Sequence, residues 1–220
     1  MDLDFNKDQL QIVVARYSEN LEWLNEFNCF ATVYNKGETT VEGAVVLPNI
    51  GREGHTYLTH LVRNYHDLPE YTVFLQGSPF FHMEGGADCA KLTETIQECM
   101  TKKVPFKGFA WFRLRCDRLG RPHQMADPAS KGKWSGWGKD IPVGDVYDKL
   151  FNRTPPQQFI ASAATGLFIV RKDRILTRSL EFYKKALSII EADPYDEYNT
   201  GHAFERLWQI IFNGSKAINP

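Results

Sequence analysis

Residues 44–77 restrict the fold of this chain more than any other stretch. They read A-V-V-L-P-N-I-G-R-E-G-H-T-Y-L-T-H-L-V-R-N-Y-H-D-L-P-E-Y-T-V-F-L-Q-G. Pro48, Asn49 and Gly51 signal a turn, and the next residues place Tyr57, Leu58, Leu61, Val62 and Tyr65 at helical spacing. After the breaker Leu68-Pro69, an apolar run from Thr72 to Leu75 stops at Gln76-Gly77. Polar loop, helix, then buried strand make one α/β unit. In open α/β sheets ligands sit beyond the carboxyl ends of the strands, so Gln76-Gly77 is where chemistry is sought.

The flanking sequence extends that unit. Gln11 to Ala15 is a short β-branched run that predicts a first buried strand. Ser18-Glu19-Asn20 opens a predicted helix presenting Leu21, Trp23, Leu24 and Phe27, and Phe30 to Tyr34 reads as a second strand closed by Asn35-Lys36-Gly37. Further along, Ala90 to Met100 looks helical and Gly108 to Cys116 alternates like a strand. Phe159 to Ala163 and Gly166 to Val170 are strand-like. Asp173 begins a helical region through Ile190, and Gly201 to Phe212 forms a last amphipathic helix. Residues 117–142 have almost no periodicity, and a loop of that length within a domain is usually functional or disordered. The two tryptophans there, Trp134 and Trp137, argue against plain disorder. The β-α-β-α-β alternation of the first half predicts a mostly parallel sheet flanked by helices in a single Rossmann-like domain over residues 1–220. No G-x-G-x-x-G or Walker A sequence follows any strand, so the standard phosphate loops are missing.

Composition narrows the partners. A net charge of −1 gives no general attraction to nucleic acid or anionic membrane. No apolar run approaches the ~18 residues of a membrane span, and Met1-Asp2-Leu3-Asp4-Phe5 does not read as a signal peptide. Cys29, Cys89, Cys99 and Cys116 lack C-x-x-C spacing, which favours reduced thiols in a cytoplasmic protein over bridges or zinc.

Six blocks carry a resemblance: V-V-A-R-Y-S-E-N-L-E-W-L (13–24), V-Y-N-K-G (33–37), L-P-N-I-G-R-E-G-H-T-Y-L (47–58), Y-T-V-F-L-Q-G-S-P-F-F-H (71–82), L-E-F-Y (180–183) and F-E-R-L-W (204–208). Together they resemble a domain family of unknown function with fungal, bacterial and algal-virus members, whose layout is similar to glycosyltransferases of the GT-A type. The resemblance implies a GT-A-like fold, a nucleotide-sugar donor and a glycan or glycoconjugate acceptor. In such enzymes an N-x-G precedes an Arg-bearing helix, an element that Asn49, Gly51 and Arg52 match. The following strand ends in Asp-x-Asp, whose place is taken here by Gln76-Gly77-Ser78. Asp-x-Asp holds a Mn or Mg ion against the diphosphate. Gln76 and Ser78 offer only neutral oxygens, so a divalent cation is doubtful and His82 supplies at most one ligand. The resemblance then assigns the diphosphate to Arg16, Lys36, Arg52 and the N–H groups at the helix start. It also makes Glu205 the general base, with His202 as a lesser candidate, and gives Gln76 a catalytic front-face role in place of Glu205 if the transfer is retaining.

Each of these residues has a plainer role open to it. Arg16-Tyr17 at a strand end is a base and phosphate clamp or a surface pair; Lys36 is a nucleotide contact or part of a solvated turn. A cation such as Arg52 at a helix start wants an anion, either a ligand or a carboxylate, whereas Glu53 beside it is explained by the helix dipole. His55 faces a ligand or, like His60 and His66, is structural. Gln76, Gly77 and His82 serve a sugar or form a tight turn, and Trp134 and Trp137 stack on an acceptor sugar or pack the loop. Phe204, Leu207 and Trp208 mark a buried stripe with Glu205-Arg206 beside it, while Asp193, Asp196 and Glu197 read as a solvated loop. Two other functions compete with sugar transfer: a non-catalytic carbohydrate-binding or scaffold protein, and a nucleotidyltransferase.

Overall fold

The computed structural model describes residues 6–27, 30–83, 85–111, 113–122, 139–162 and 166–213. The chain begins with β1 (Leu10–Arg16), a 3-10 helix (Glu22–Phe27), β2 (Ala31–Asn35), β3 (Val45–Val46), α1 (Arg52–Asn64) and β4 (Tyr71–Gln76). It continues through a 3-10 turn (Pro79–Phe81), α2 (Cys89–Thr101), β5 (Phe106–Gly108), β6 (Arg113–Asp117) and α3 (Val143–Phe151). The last elements are β7 (Gln158–Ser162), β8 (Phe168–Arg171), α4 (Lys172–Ile175), α5 (Leu180–Glu191) and α6 (Thr200–Asn213).

Six strands form one sheet in the order β3-β2-β1-β4-β8-β5. β1 pairs in parallel with β2 and β4, and β2 with β3, whereas β8 is antiparallel to both of its neighbours. The result is a mixed α/β domain with a mostly parallel sheet, as the alternation predicted. Both faces of β1 and β4 are covered, so most of their residues are apolar. Val13, Ala15, Phe74, Phe168 and Val170 face α1, α3, α5 and α6, while Ile12, Val14, Val73, Leu75 and Ile169 face α2 and the first 3-10 helix.

Three expectations need correction. The stretch Gly108 to Cys116 is not one strand: β5 pairs with β8, Ala110 bridges Met83, and β6 leaves to pair with β7 in a separate two-stranded sheet. Period-2 alternation is blind to a change of partner. The helix after Asp173 is two helices, because Ser179 caps α5 by accepting the Phe182 N–H at 3.2 Å. The segment after Ser18 forms only a 3-10 helix, whose start is fixed by Asn20 Oδ1 accepting the Glu22 N–H at 2.7 Å.

Helix α1 is buried around most of its girth from Glu53 to Leu61. It lies between the sheet and the pair α5 and α6, which explains why Thr56, Thr59 and His60 are as hidden as Tyr57 and Leu58. His60 is a core histidine as expected, with Tyr34 Oη 3.0 Å from its Nδ1 and a pKa lowered by burial to about 4. His66 is exposed. His55 faces α5, its Nε2 3.7 Å from Glu191 Oε1, and not a ligand site.

Candidate functional site at the carboxyl ends of β1 and β4

β1 and β4 are neighbours, yet the chain leaves β1 toward β2 on one side and returns to β4 on the other. Connections therefore diverge at their carboxyl ends, the topology that opens a crevice in α/β sheets. A recess of about 380 Å³ occupies that point. Arg16, Tyr17 and Glu19 line it from the end of β1, Lys36 from β2, and Asn49, Arg52 and Glu53 from the turn into α1. Gln76, Ser78, Phe81 and His82 complete it from the end of β4. Seven residues singled out from sequence, Arg16, Tyr17, Lys36, Asn49, Arg52, Gln76 and His82, thus meet around one hollow.

The loops at its edge are held by close packing. Gly37 has no room for a side chain, since a Cβ there would stand 1.7 Å from the Tyr17 carbonyl oxygen. Gly77 is equally confined, with a Cβ falling 2.6 Å from Glu19 Oε2. That same Glu19 oxygen accepts the N–H groups of Tyr17 at 2.6 Å and Ser18 at 3.1 Å, which fixes the turn after β1. The Gly77 carbonyl accepts from Trp23 Nε1 at 2.9 Å, so the turn after β4 is tied to the 3-10 helix.

The basic residues differ in what they already hold. Arg16 is buried, and its guanidinium donates to Asn35 Oδ1 at 2.8 Å and to the carbonyls of Glu19, Tyr17 and Thr39 at 3.1, 3.2 and 3.3 Å. It knots the loops after β1 and β2 together while leaving its positive charge beside the recess. Lys36 is also buried, with Nζ donating to the carbonyls of Ile50 and Arg52. Burial lowers its pKa to about 8, against the opposing pull of the Glu53 carboxylate. The plain solvated turn envisaged for Lys36 is therefore excluded.

Arg52 begins α1 in a left-handed conformation, φ 51°, directly after Gly51 at φ 56°. A left-handed non-glycine residue costs about 1 kcal/mol or more and persists only when its surroundings hold it. Here Lys36 holds its carbonyl and Asp196 accepts its Nε at 2.8 Å. The carboxylate that answers Arg52 is thus Asp196 from the α5–α6 loop. This corrects the solvated reading for Asp193 and Asp196, whereas Glu197 is exposed as expected. Asp196 Oδ1 also accepts the Gly201 N–H at 2.9 Å, and buried Asp193 accepts the Thr200 hydroxyl at 2.7 Å. No side chain caps α1, so its first N–H groups, beside Arg52 and Glu53, form an anion-attracting edge of the recess.

Sequence reasoning gave Glu53 to the helix dipole alone. The structure gives it more: it lines the recess, packs against Gly166 and is hydrogen-bonded to Glu205 of α6. Glu205 itself is not among the recess-lining residues, with about 15% of its side chain exposed. Burial and the adjacent Glu53 charge raise its pKa to about 8, overriding Arg206, whose Nη1 lies 3.1 Å from Glu205 Oε2. Glu205 therefore holds its proton at neutral pH. The signal that could have exposed Glu53 is its place beside Arg52 at the mouth of a strand-end crevice.

His202 is buried in α6 outside the recess, its Nδ1 3.7 Å from Asp196 Oδ2. Burial and the charges of Arg52 and Arg206 lower its pKa to about 3, so it stays neutral and cannot touch an acceptor as the sequence suggested. Trp134 and Trp137 lie outside the described residues.

A model of a family described as a protein of unknown function (DUF3431) matches residues 12–220. The chain belongs to this family. No curated protein matches it. Family membership therefore leaves the chemistry to be argued from the recess. In the place where an acidic metal motif would stand, Gln76 and Ser78 are neutral, and one Glu19 oxygen is already engaged by two amides, while Glu53 and His82 line the recess from α1 and from the turn after β4. Among the described residues no three His, Cys, Asp or Glu side chains are grouped to hold a metal ion. A wider recess of about 1100 Å³ lies at the amino ends of the strands, where Lys7, Asp8, Glu70 and Arg171 mix both signs. Arg171 is already bound to Asp173 at 2.7 Å, and ligands of such sheets gather at the opposite edge, so size is the poorer guide.

Proposed function

We propose that this chain is a glycosyltransferase of GT-A-like design, moving a sugar from a nucleotide diphosphate to a hydroxyl of a glycan or glycoconjugate. One observation carries the proposal: the recess at the β1/β4 switch point combines the uncapped start of α1 with Arg52, Lys36 and the charge of Arg16. That combination suits a diphosphate. Tyr17, half exposed at the rim, offers a face for a base, and Gln76 and Asn49 offer donors and acceptors for sugar hydroxyls.

In the transfer, the acceptor oxygen bonds to the anomeric carbon as the bond to the diphosphate oxygen breaks. The hydroxyl proton passes to a carboxylate, and the departing diphosphate keeps the bonding electrons. Glu19 and Glu53 both line the recess, but a Glu19 oxygen already accepts the N–H groups of Tyr17 and Ser18, so the base is assigned to Glu53, with Glu205 behind it as a positioning residue and not the direct base. Arg52, Lys36 and the helix N-terminus stabilise the charge on the leaving group. No step is routed through a metal.

Calorimetric titration with nucleoside diphosphates and sugar nucleotides tests this. Micromolar binding is expected, with Arg52→Ala weakening it about tenfold, the loss of one charge-assisted contact. Turnover should release a nucleoside diphosphate; release of pyrophosphate would point to a nucleotidyltransferase instead. The neutral Gln76-Gly77-Ser78 turn favours a second reading, carbohydrate binding without catalysis, which gains if no nucleotide binds.

A further inference from the structure

Phe80 and Phe81 are consecutive but face opposite ways. Phe80 turns inward, its ring 5.6 Å from Trp23 in an edge-on contact, whereas Phe81 is 84% exposed. Trp111, 69% exposed, is held beside this turn by its N–H donating to the His82 carbonyl at 3.3 Å and by the Met83–Ala110 bridge. Phe81 meets the His82 ring edge-on at 5.1 Å, and both Phe81 and Trp111 keep most of their surface in water, apolar area that a ligand would cover favourably. Between them lies a hollow of about 720 Å³, lined by Phe80, Phe81, Met83, Gly85, Gly86 and Trp111. None of these residues carries charge, and the two glycines leave their side open, since a Cβ at either meets nothing within 4 Å.

Phe81 also lines the recess at the β1/β4 switch point, so the two hollows share a wall. A ligand on the aromatic shelf thus lies beside Gln76, His82 and the proposed donor site. Pyranose rings suit such a shelf, because their C–H faces pack on aromatic rings while their hydroxyls remain in water. A membrane surface would call for basic residues around the hollow, and among the described residues its lining has none. We propose that Phe81 and Trp111 form the acceptor subsite, stacking on a sugar ring of a glycan whose hydroxyl points into the neighbouring recess. The assignment of an acceptor rests on the glycosyltransferase reading; the sugar-binding shelf itself does not.

Titration of the whole chain with a panel of neutral gluco-, manno- and galacto-oligosaccharides, followed by calorimetry with and without a bound nucleoside diphosphate, tests the shelf. At least one glycan should bind, with affinity lowered about tenfold or more by Phe81→Ala and by Trp111→Ala, as for a central aromatic contact. Phe81→Tyr and Trp111→Phe should retain binding, and nucleotide affinity should be unchanged in the two Trp111 variants, which lie outside the donor recess. If no oligosaccharide binds, or if the alanine variants bind like the parent, the shelf is not a sugar site, whatever the nucleotide result. Glycan binding lost in those variants without any nucleotide binding would keep the shelf and remove the transferase. Concentration-dependent dimerisation abolished by Trp111→Ala would make the shelf a contact between copies and overturn the inference.

Discussion

Replacing Glu205 by glutamine should change how stability depends on pH. An unfolded glutamate releases its proton near 4.5, whereas folded Glu205 keeps it until about 8, because burial and Glu53 oppose its charge. Between those values the unfolded state binds fewer protons than the folded one, so unfolding is favoured as pH rises. The stability linked to Glu205 is complete below pH 4.5 and is lost through pH 8. At about 1.36 kcal/mol per pKa unit the full span amounts to roughly 4–5 kcal/mol. Because Glu205 titrates against the neighbouring charges of Glu53 and Arg206, on the order of 2–3 kcal/mol is a more realistic figure. Glutamine keeps the shape, donates to Glu53 and accepts from Arg206, but does not titrate. Urea unfolding of both proteins between pH 5.5 and 8.5 should show the parent losing stability relative to Glu205→Gln, with most of the gap opening above pH 6. Parallel profiles would mean that Glu205 is ionised in the folded chain.

Other perturbations probe the frame around the recess. Gly37→Ala forces a methyl group onto the Tyr17 carbonyl and should destabilise the fold by about 1–3 kcal/mol in thermal melts; an unchanged melting temperature would mean the two loops are not packed as described. Lys36→Met leaves the Ile50 and Arg52 carbonyls without their buried donor, a loss of about 1–3 kcal/mol in urea unfolding, together with weaker nucleotide binding. Glu53→Gln should lower the rate of sugar transfer by at least about a hundredfold while leaving diphosphate affinity nearly intact; a variant with parental turnover would remove Glu53 from the chemistry.

Much of the fold was legible because its signals are local. The β-branched run of β1, the apolar run of β4 and the turn-helix-breaker pattern between them need only neighbours in sequence to be read. Strand direction does not work that way: the short run Phe168–Arg171 reads the same whether it joins β4 parallel or, as it does, antiparallel. The site was legible where strand ends mark it, at Arg16, Lys36 and Gln76, and at the helix start that carries Arg52. It was opaque where a residue's role depends on a distant partner. Glu53 looked complete as a helix-dipole charge until α6 brought Glu205 against it. Arg52 looked in need of a ligand until the α5–α6 loop supplied Asp196. Arg16 shows the reverse case, since a strand-end arginine that resembles a phosphate clamp uses its donors on four local acceptors.

The most direct test is a crystal structure of the chain soaked with a nucleoside diphosphate. The diphosphate should lie between the ends of β1 and β4, within hydrogen-bond reach of Arg52 and the first amides of α1. A nucleotide seated instead in the wide hollow at the amino ends of the strands, or side chains found closing the recess above Arg52, would contradict the account.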